Sequence, residues 1–310
     1  AMRLRNRFLL WYRKRQGRPM SPMKIIASAF AIIILLGTVL LTLPVASRTG
    51  ERCPFLPALF TATSATCVTG LTPFDTYTQW SGFGQGVLLC LIELGGLGFM
   101  SVATLFVFML RRRVGLKQRM VMAQALSLND MEGVVRLQRT VLVGSFSVEG
   151  IGAAILTVYF WPRFGFSRAL WLGVFHSVSA FCNAGFDILG TDSSMFPSLT
   201  GYSGNILINL VIMLLIITGG IGFLTWDDIY TNKLNFKRYR MQSKIILMTT
   251  ACLILFPAVF FYICDLTNLP MGKRLLAAAF QSVTTRTAGF NTINISEMSE
   301  ASKAVMILLM

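Results

Sequence analysis

A short motif that occurs three times limits the folds that this chain can adopt. Its copies are FTATSATCVTGL from Phe60, FHSVSAFCNAGF from Phe175 and FQSVTTRTAGF from Phe280. In each copy a helix-compatible lead of Phe, small and hydroxyl residues runs into a glycine that a large apolar residue follows. These glycines are Gly70, Gly185 and Gly289. The motif predicts three equivalent short hairpins.

Five apolar runs predict an all-α polytopic membrane protein, because a helix of about 20 apolar residues crosses a bilayer. The runs cover residues 25–45, 85–110, 140–161, 206–226 and 245–264. Only 13% of the residues are charged, whereas a soluble domain carries roughly a quarter. Three shorter apolar leads, at 55–65, 170–181 and 275–283, cannot span. They predict re-entrant helices, which membrane proteins tolerate where protein or a wet cavity surrounds them.

The net charge of +15 is concentrated in three segments, which hold 20 of the 28 Lys and Arg residues: 3–24, 111–139 and 233–244. Because helix pairs separate these segments, all three lie on one face, and the positive-inside rule makes that face and the N-terminus cytoplasmic. This positive charge also suits binding to anionic lipid or to an acidic surface of a partner protein. No nucleic-acid-binding motif accompanies it, so nucleic acid is not a predicted partner.

The order of the motifs divides the chain into repeats. A second motif, GGxGF, occurs at 95–99 and 219–223 and strengthens the repeat. We predict a basic amphipathic N-terminus at 1–24, pore repeat 1 at 25–113, a cytoplasmic linker with pore repeat 2 at 114–232, and a linker with pore repeat 3 at 233–310. Repeat 3 reaches only about ten residues into its returning helix, so we expect an incomplete copy of a longer protein, with a fourth glycine near residue 400.

The backbone carbonyls of the hairpins are candidate ligands for a cation. A chain that re-enters the membrane and returns extended leaves its carbonyl oxygens unpaired, which costs several kcal/mol each unless water or a cation meets them. Rings of carbonyls can replace the hydration shell of a monovalent cation, and glycine permits the backbone to aim them inward.

The motifs quoted above resemble the Trk, Ktr and plant HKT superfamily of cation transporters, and within it the KtrB branch, the membrane subunits of bacterial Ktr potassium-uptake systems. The resemblance covers 20–310 and implies four repeats of helix, pore helix, filter strand and helix around one K⁺-selective pore. It implies twelve filter residues here: Val68, Thr69, Gly70, Leu71, Asn183, Ala184, Gly185, Phe186, Thr287, Ala288, Gly289 and Phe290.

The resemblance also implies partners and a location. These are a homodimer in the bacterial plasma (inner) membrane, in contact with lipid, and a cytoplasmic ring of KtrA-like nucleotide-binding subunits that gates the pore. No cofactor is implied beyond the transported K⁺, with Na⁺ as an activator. The basic segments at 111–139 and 233–244 are candidate docking surfaces.

The third copy departs from the pattern in two ways. It is one residue shorter between its Phe and its Gly, so its pore helix must end differently. Arg286 also stands where the other copies have Cys67 and Cys182. A cation there would repel K⁺ if it faced the pore. The resemblance implies that Arg286 points into the wall and supports the filter through hydrogen bonds.

Several polar residues lie outside the motif glycines. Six acids of the outer loops would concentrate cations or keep the loops soluble: Asp75, Asp187, Asp192, Asp265, Glu297 and Glu300. We favour Asp187, two residues past Gly185, as a residue of the outer mouth. His176 is predicted to be a packed, hydrogen-bonded residue of the second pore helix.

Glu93 and Glu149 lie within predicted spans, where a charge is costly. They are either structural carboxylates, paired with a pore-helix backbone or hydroxyl group, or the coupling site of an ion-coupled secondary transporter. The six cysteines show no CxxC pair or nearby His, so no zinc or redox motif is indicated. Without a nucleophile and base pair, an enzyme is not predicted. The glycine clusters predict close helix contacts, with hinge bending as the alternative.

Overall fold

The computed structural model describes residues 22–98, 120, 134–190, 198–233, 235–265 and 270–310. The predicted amphipathic helix of the N-terminus lies outside the described residues. So do most of the basic segment at 111–139 and the second half of the predicted span at 85–110.

The described residues form an all-α fold. A single isolated bridge between Ser47 and Trp80 is the only β pairing among them. Ten helices are used below: α1 (Pro22–Thr42), α2 (Phe55–Cys67), α3 (Gly82–Gly96), α4 (Val134–Phe164), α5 (Phe166–Phe181), α6 (Ile206–Gly220), α7 (Phe223–Asn232), α8 (Met241–Cys264), α9 (Met271–Thr284) and α10 (Glu300–Leu309). The predicted fold class is confirmed.

Helices α1, α4 and α8 are each long and apolar enough to cross a membrane. The predicted span at 206–226 was wrong as a single helix, because α6 and α7 meet at a bend of 98°. The bend falls at Gly222, whose φ of +87° is open to glycine at little cost. The apolar run predicted to end at 161 also ends later than predicted. Helix α4 continues through Pro162 to Phe164, and the turn comes at Gly165.

The three short leads fold as helices, and each packs against the long helix that precedes it. Helix α2 contacts α1, α5 contacts α4, and α9 contacts α8. Helix α3 then packs on α2, and α6 on α5. The described part of the chain therefore repeats one arrangement, a long helix followed by a short one, with a returning helix in the first two repeats.

The first glycine of each GGxGF motif permits contact between the returning helix and the pore helix of its own repeat. A Cβ atom on Gly95 would overlap the carbonyl oxygen of Thr66, at the end of α2. A Cβ atom on Gly219 would likewise overlap the carbonyl oxygen of Phe181, at the end of α5. Two repeats thus use the same backbone contact, which only a residue without a side chain allows.

The second glycine faces the hairpin of the next repeat. Gly96 packs on Cys182 so closely that a Cβ atom would overlap the Sγ atom. Gly220 lies less tightly between hairpins 2 and 3, where a Cβ atom would be 3.3 Å from Nδ2 of Asn183 and 3.7 Å from Nη2 of Arg286. The close-contact interpretation of the glycine clusters is therefore confirmed, and each returning helix lies between its own pore helix and the next hairpin.

We expect Gly219→Ala to destabilise the protein by about 1–3 kcal/mol, because the methyl group would meet a backbone carbonyl that cannot turn aside. Gly150→Ala is the matched control, since nothing lies within 4 Å of a Cβ atom there and alanine favours a helix by up to about 1 kcal/mol. Thermal unfolding of both variants in detergent measures the difference. Equal melting temperatures would contradict the packing described here.

Candidate functional site

The chain after each pore helix carries two left-handed residues in alternation. Positive φ angles occur at the motif glycine and at the residue two before it: Val68 (56°), Gly70 (73°), Asn183 (56°), Gly185 (68°), Thr287 (63°) and Gly289 (80°). Left-handed residues other than glycine are uncommon and cluster at functional sites. Alternating φ signs rotate successive peptide planes, so carbonyls along the strand turn toward one side.

One closing hydrogen bond recurs in all three hairpins. The amide of the residue before the glycine donates to the carbonyl of the residue four after the motif Phe: Thr69 to Ser64 (3.0 Å), Ala184 to Ser179 (2.8 Å) and Ala288 to Thr284 (2.9 Å). The third bond closes a turn that is shorter by one residue, and α9 ends at Thr284. The prediction that the third pore helix ends differently is confirmed.

A hydroxyl group at that same position ties the strand to its pore helix. In repeat 2, Ser179 Oγ accepts from the Phe186 amide at 3.0 Å and donates to the Phe186 carbonyl at 2.7 Å. In repeat 3, Thr284 Oγ1 donates to the Phe290 carbonyl at 2.6 Å. The hydroxyl satisfies the carbonyl after the glycine and leaves the earlier ones to other partners.

The strands of the three hairpins meet at their glycines. A Cβ atom on Gly70 would be 2.8 Å from the Ala184 carbonyl oxygen, and one on Gly185 would be 2.8 Å from the Ala288 carbonyl oxygen. A Cβ atom on Gly289 would be 3.0 Å from Cα of Gly185. Three segments about a hundred residues apart in the chain therefore approach backbone to backbone.

Four side chains of hairpins 2 and 3 are enclosed by the protein. Ala184, Phe186, Ala288 and Phe290 are all buried, each with at most 1% of its surface exposed. Hairpin 1 lies at the edge of the group, and Leu71 is 62% exposed. In hairpins 2 and 3 the groups that remain to meet an ion are main-chain atoms and the side chains of Asn183, which is half-buried, and Thr287, which is exposed.

One family model matches nearly the whole of this chain. The family model described as TrkH, a cation transport protein, matches residues 6–310. The chain belongs to the TrkH family.

Two curated relatives support the TrkH assignment. The chain is 41% identical over 303 residues to the potassium/sodium uptake protein NtpJ of Enterococcus hirae, and 40% identical over 297 residues to the Ktr system potassium uptake protein B of Bacillus subtilis. These matches cover 96% and 94% of the chain. The chain spans only 66% and 64% of the length of these relatives.

A solved structure shares the fold. The crystal structure of the potassium transporter TrkH from Vibrio parahaemolyticus superposes with a TM-score of 0.64 at 16% sequence identity. The match covers 94% of this chain and 57% of that one. The predicted resemblance to the superfamily is confirmed.

Asp187 lies two residues after Gly185, just beyond hairpin 2. Burial is the main cause that raises the pKa of its carboxyl group to about 7; a hydrogen bond from the Leu189 amide opposes this rise, and the nearby Asp75 carboxylate adds to it. The Asp75 carboxylate accepts from the amides of Tyr77 and Thr78. These two acids are therefore held close to the end of hairpin 2.

The other outer acids make local contacts. Asp265 accepts from the amide of Ser299 at 2.9 Å, Glu297 accepts from Asn294 at 2.8 Å, and Glu300 pairs with Lys303 at 3.0 Å. Asp192 lies outside the described residues.

His176 is fully enclosed, as predicted, and supports the loop after hairpin 2. Its Nδ1 atom is 2.8 Å from the Leu172 carbonyl, and the Ile188 amide lies 3.4 Å from its Nε2 atom. The Ile188 amide is a donor, so Nε2 accepts and Nδ1 carries the proton. With 1% of its surface exposed, His176 has a structural position in this hairpin.

Arg286 lies between hairpin 3 and two helices. Its Nη2 atom is 3.3 Å from Thr250 Oγ1 on α8, and Gly220 of α6 lies beside it. These contacts direct the guanidinium toward neighbouring helices.

Glu93 and Glu149 lie close together, although no pattern in the sequence predicts this contact. Glu93 accepts a weak hydrogen bond from the thiol of Cys182 at 3.8 Å. One ligand atom of each of the three residues lies within 4.8 Å of the others. A thiol, in place of the predicted hydroxyl or backbone group, is the described partner of Glu93. Cys182 was overlooked because only its place in the motif was considered.

We expect Ser179→Ala to loosen hairpin 2, because it removes both hydrogen bonds to Phe186 and leaves a buried amide and carbonyl without a partner, at about 1–3 kcal/mol for each. The matched control is Ser147→Ala on the exposed face of α4, where the hydroxyl donates only within its own helix. Hydrogen exchange at the Phe186 amide should become faster in the first variant only. Unchanged protection would contradict the role given to Ser179.

Proposed function

We propose that this chain forms most of a K⁺-selective pore, through which K⁺ passes inward along a ring of backbone carbonyls. The observation that carries the proposal is the meeting of three left-handed glycine hairpins at one point. The names of the two curated relatives, a potassium/sodium uptake protein and a potassium uptake protein, support K⁺ as the substrate.

The proposed filter works through the main chain. K⁺ loses water at the outer mouth as the carbonyl oxygens at and before each motif glycine replace its hydration shell. Buried side chains at Ala184, Phe186, Ala288 and Phe290 hold the strands while leaving the carbonyls available. Because a carbonyl without a partner at membrane depth costs several kcal/mol, a bare cation is a favourable partner there.

A fourth hairpin would complete this ring. Three sides leave an arc, and the two curated relatives are about half as long again as the matched segment. We place the fourth side in the part of their length that this chain does not match. The closely packed glycines would then separate to admit both the strand and the ion.

The membrane potential drives uptake in this proposal, since it contributes about 2.3 kcal/mol per charge for each 100 mV. We place the chain in the bacterial inner membrane with its N-terminus in the cytoplasm, as a homodimer whose activity depends on Na⁺. The gate is controlled by a ring of KtrA-like nucleotide-binding subunits. The name of one relative, a Ktr system protein, supports a system of several components.

The elbow between α7 and α8 is the proposed docking surface for those subunits. Arg240 pairs with Asp227 at 3.0 Å and with Asp228 at 3.5 Å, and Ser243 also donates to Asp228. These contacts fix the elbow, on which Lys233, Lys237 and Arg238 are exposed. A fixed basic surface suits an acidic partner.

Gly185→Ser should lower K⁺ uptake at least about tenfold, equivalent to about 1.4 kcal/mol, and reduce the preference for K⁺ over Na⁺. Serine is strained at a φ of +68°, and its Cβ atom would be 2.8 Å from the Ala288 carbonyl oxygen. Gly201→Ser is the control, with nothing within 4 Å. Uptake of both ions by K⁺-deficient cells is the measurement. An unchanged rate and preference in Gly185→Ser would refute the filter assignment.

At pH 8 and low ionic strength, where a carboxyl group with a pKa of about 7 is mostly ionised, Asp187→Asn should reduce the rate of K⁺ uptake roughly twofold to fivefold, because one fewer negative charge attracts cations to the mouth. The loss should shrink as an impermeant salt is added, since the screening length falls to about 8 Å at 0.15 M. Glu300→Gln, on the 91% exposed side chain paired with Lys303, is the control. Equal effects of the two variants on K⁺ uptake would contradict the assignment of Asp187 to the outer mouth.

A further inference from the structure

Three donor side chains from separate elements converge in the wall beside hairpin 2. Glu93 comes from α3 of repeat 1, Glu149 from α4 of repeat 2, and Cys182 follows α5 directly. One carboxylate oxygen from each glutamate and the sulfur lie within 4.8 Å of one another. The site therefore joins a helix of one repeat to a helix and a hairpin of the next.

The two carboxylates are buried with unused oxygen atoms. Glu149 is only 4% exposed. Among the described residues, the Oε1 atoms of both Glu93 and Glu149 have no hydrogen-bond partner. None of the three ion pairs found in the described ranges involves either residue. Buried carboxylates need a compensating charge or donor, so an unpartnered oxygen on a Glu149 carboxylate that belongs to this cluster indicates a ligand.

We propose that Glu93, Glu149 and Cys182 bind a divalent transition-metal ion of the Zn²⁺ class. Two oxygens and a sulfur match the donors that such an ion takes, with one position left for water. Bond lengths of about 2.3 Å to sulfur and 2.1 Å to oxygen place the two donors about 3.6 Å apart at a tetrahedral centre. The observed separation of Cys182 Sγ and Glu93 Oε2 is 3.8 Å.

A divalent ion can balance the charge of its ligands at this site. Metal binding would release the thiol proton of Cys182. With one glutamate ionised and the other retaining its proton, the thiolate and the carboxylate together neutralise the two positive charges. The neutral assembly suits a buried position.

The surrounding contacts hold the donors in place. Ser177 Oγ donates to the Glu149 carbonyl at 2.7 Å and ties α5 to α4. Gly96 packs directly on Cys182 and brings α3 to the same point. Glu93 is partly exposed, which gives an ion a way in. A bound metal would tie hairpin 2 to both helices, so this site would restrain the hairpin from outside the ion path.

Co²⁺ titration of the purified protein tests the site without reference to transport. Sulfur-to-cobalt charge-transfer and visible absorption bands report a tetrahedral centre that contains a thiolate. We expect these bands in the wild type, at one Co²⁺ per chain, and their displacement by Zn²⁺. Cys182→Ser should abolish the charge-transfer band, and Glu149→Gln should weaken Co²⁺ binding at least tenfold.

Cys67→Ser is the matched control, because Cys67 holds the same motif position in repeat 1 but is exposed. This variant should keep the spectrum and the affinity of the wild type. Thermal unfolding with and without Zn²⁺ separates binding from misfolding: each variant should unfold cooperatively, and only those at Glu149 and Cys182 should lose the Zn²⁺-induced rise in melting temperature. Wild-type Co²⁺ spectra and affinity in Cys182→Ser or Glu149→Gln would overturn the proposal, as would loss of the bands in Cys67→Ser.

Discussion

Backbone carbonyls at membrane depth are the constraint on which this structure depends. Each must find a partner, and the hairpins divide them into two groups. The carbonyl after the glycine receives a hydroxyl hydrogen bond from Ser179 in repeat 2 and from Thr284 in repeat 3. The earlier carbonyls are turned by alternating φ signs and remain for the proposed ion. Small, buried side chains follow from this division, because bulk on the strand would push the carbonyls apart.

The glycine pairs explain how separate hairpins become one site. Gly95 and Gly219 touch the ends of the short helices in their own repeats, whereas Gly96 touches hairpin 2 and Gly220 lies between hairpins 2 and 3. A displacement of one returning helix therefore acts on two repeats together. The fold positions the hairpins through these contacts, and the long apolar faces of α1 and α8, which are largely exposed, are left for lipid and for other protein.

Sequence reasoning found the features that depend on length, hydropathy and local motif. The short helix after each long one, the shorter third hairpin and the enclosed His176 were all predictable on those grounds. Hydropathy could not reveal the 98° bend between α6 and α7, although a glycine at 222 was a signal that the backbone could turn there. The meeting of Glu93, Glu149 and Cys182 was hidden for another reason, since the donors lie on three elements and only tertiary packing unites them.

The single arginine of the third hairpin shows what repeats within one chain make available. A pore made of four identical subunits would carry four guanidinium groups if it carried one, and their mutual repulsion beside a cation path would be severe. Repeats in one chain can diverge, so Arg286 stands where the other two hairpins have cysteine. In the proposed pore, the electrostatic field around a passing ion is therefore asymmetric. Evolution can adjust one wall of such a pore while the remaining walls keep their chemistry.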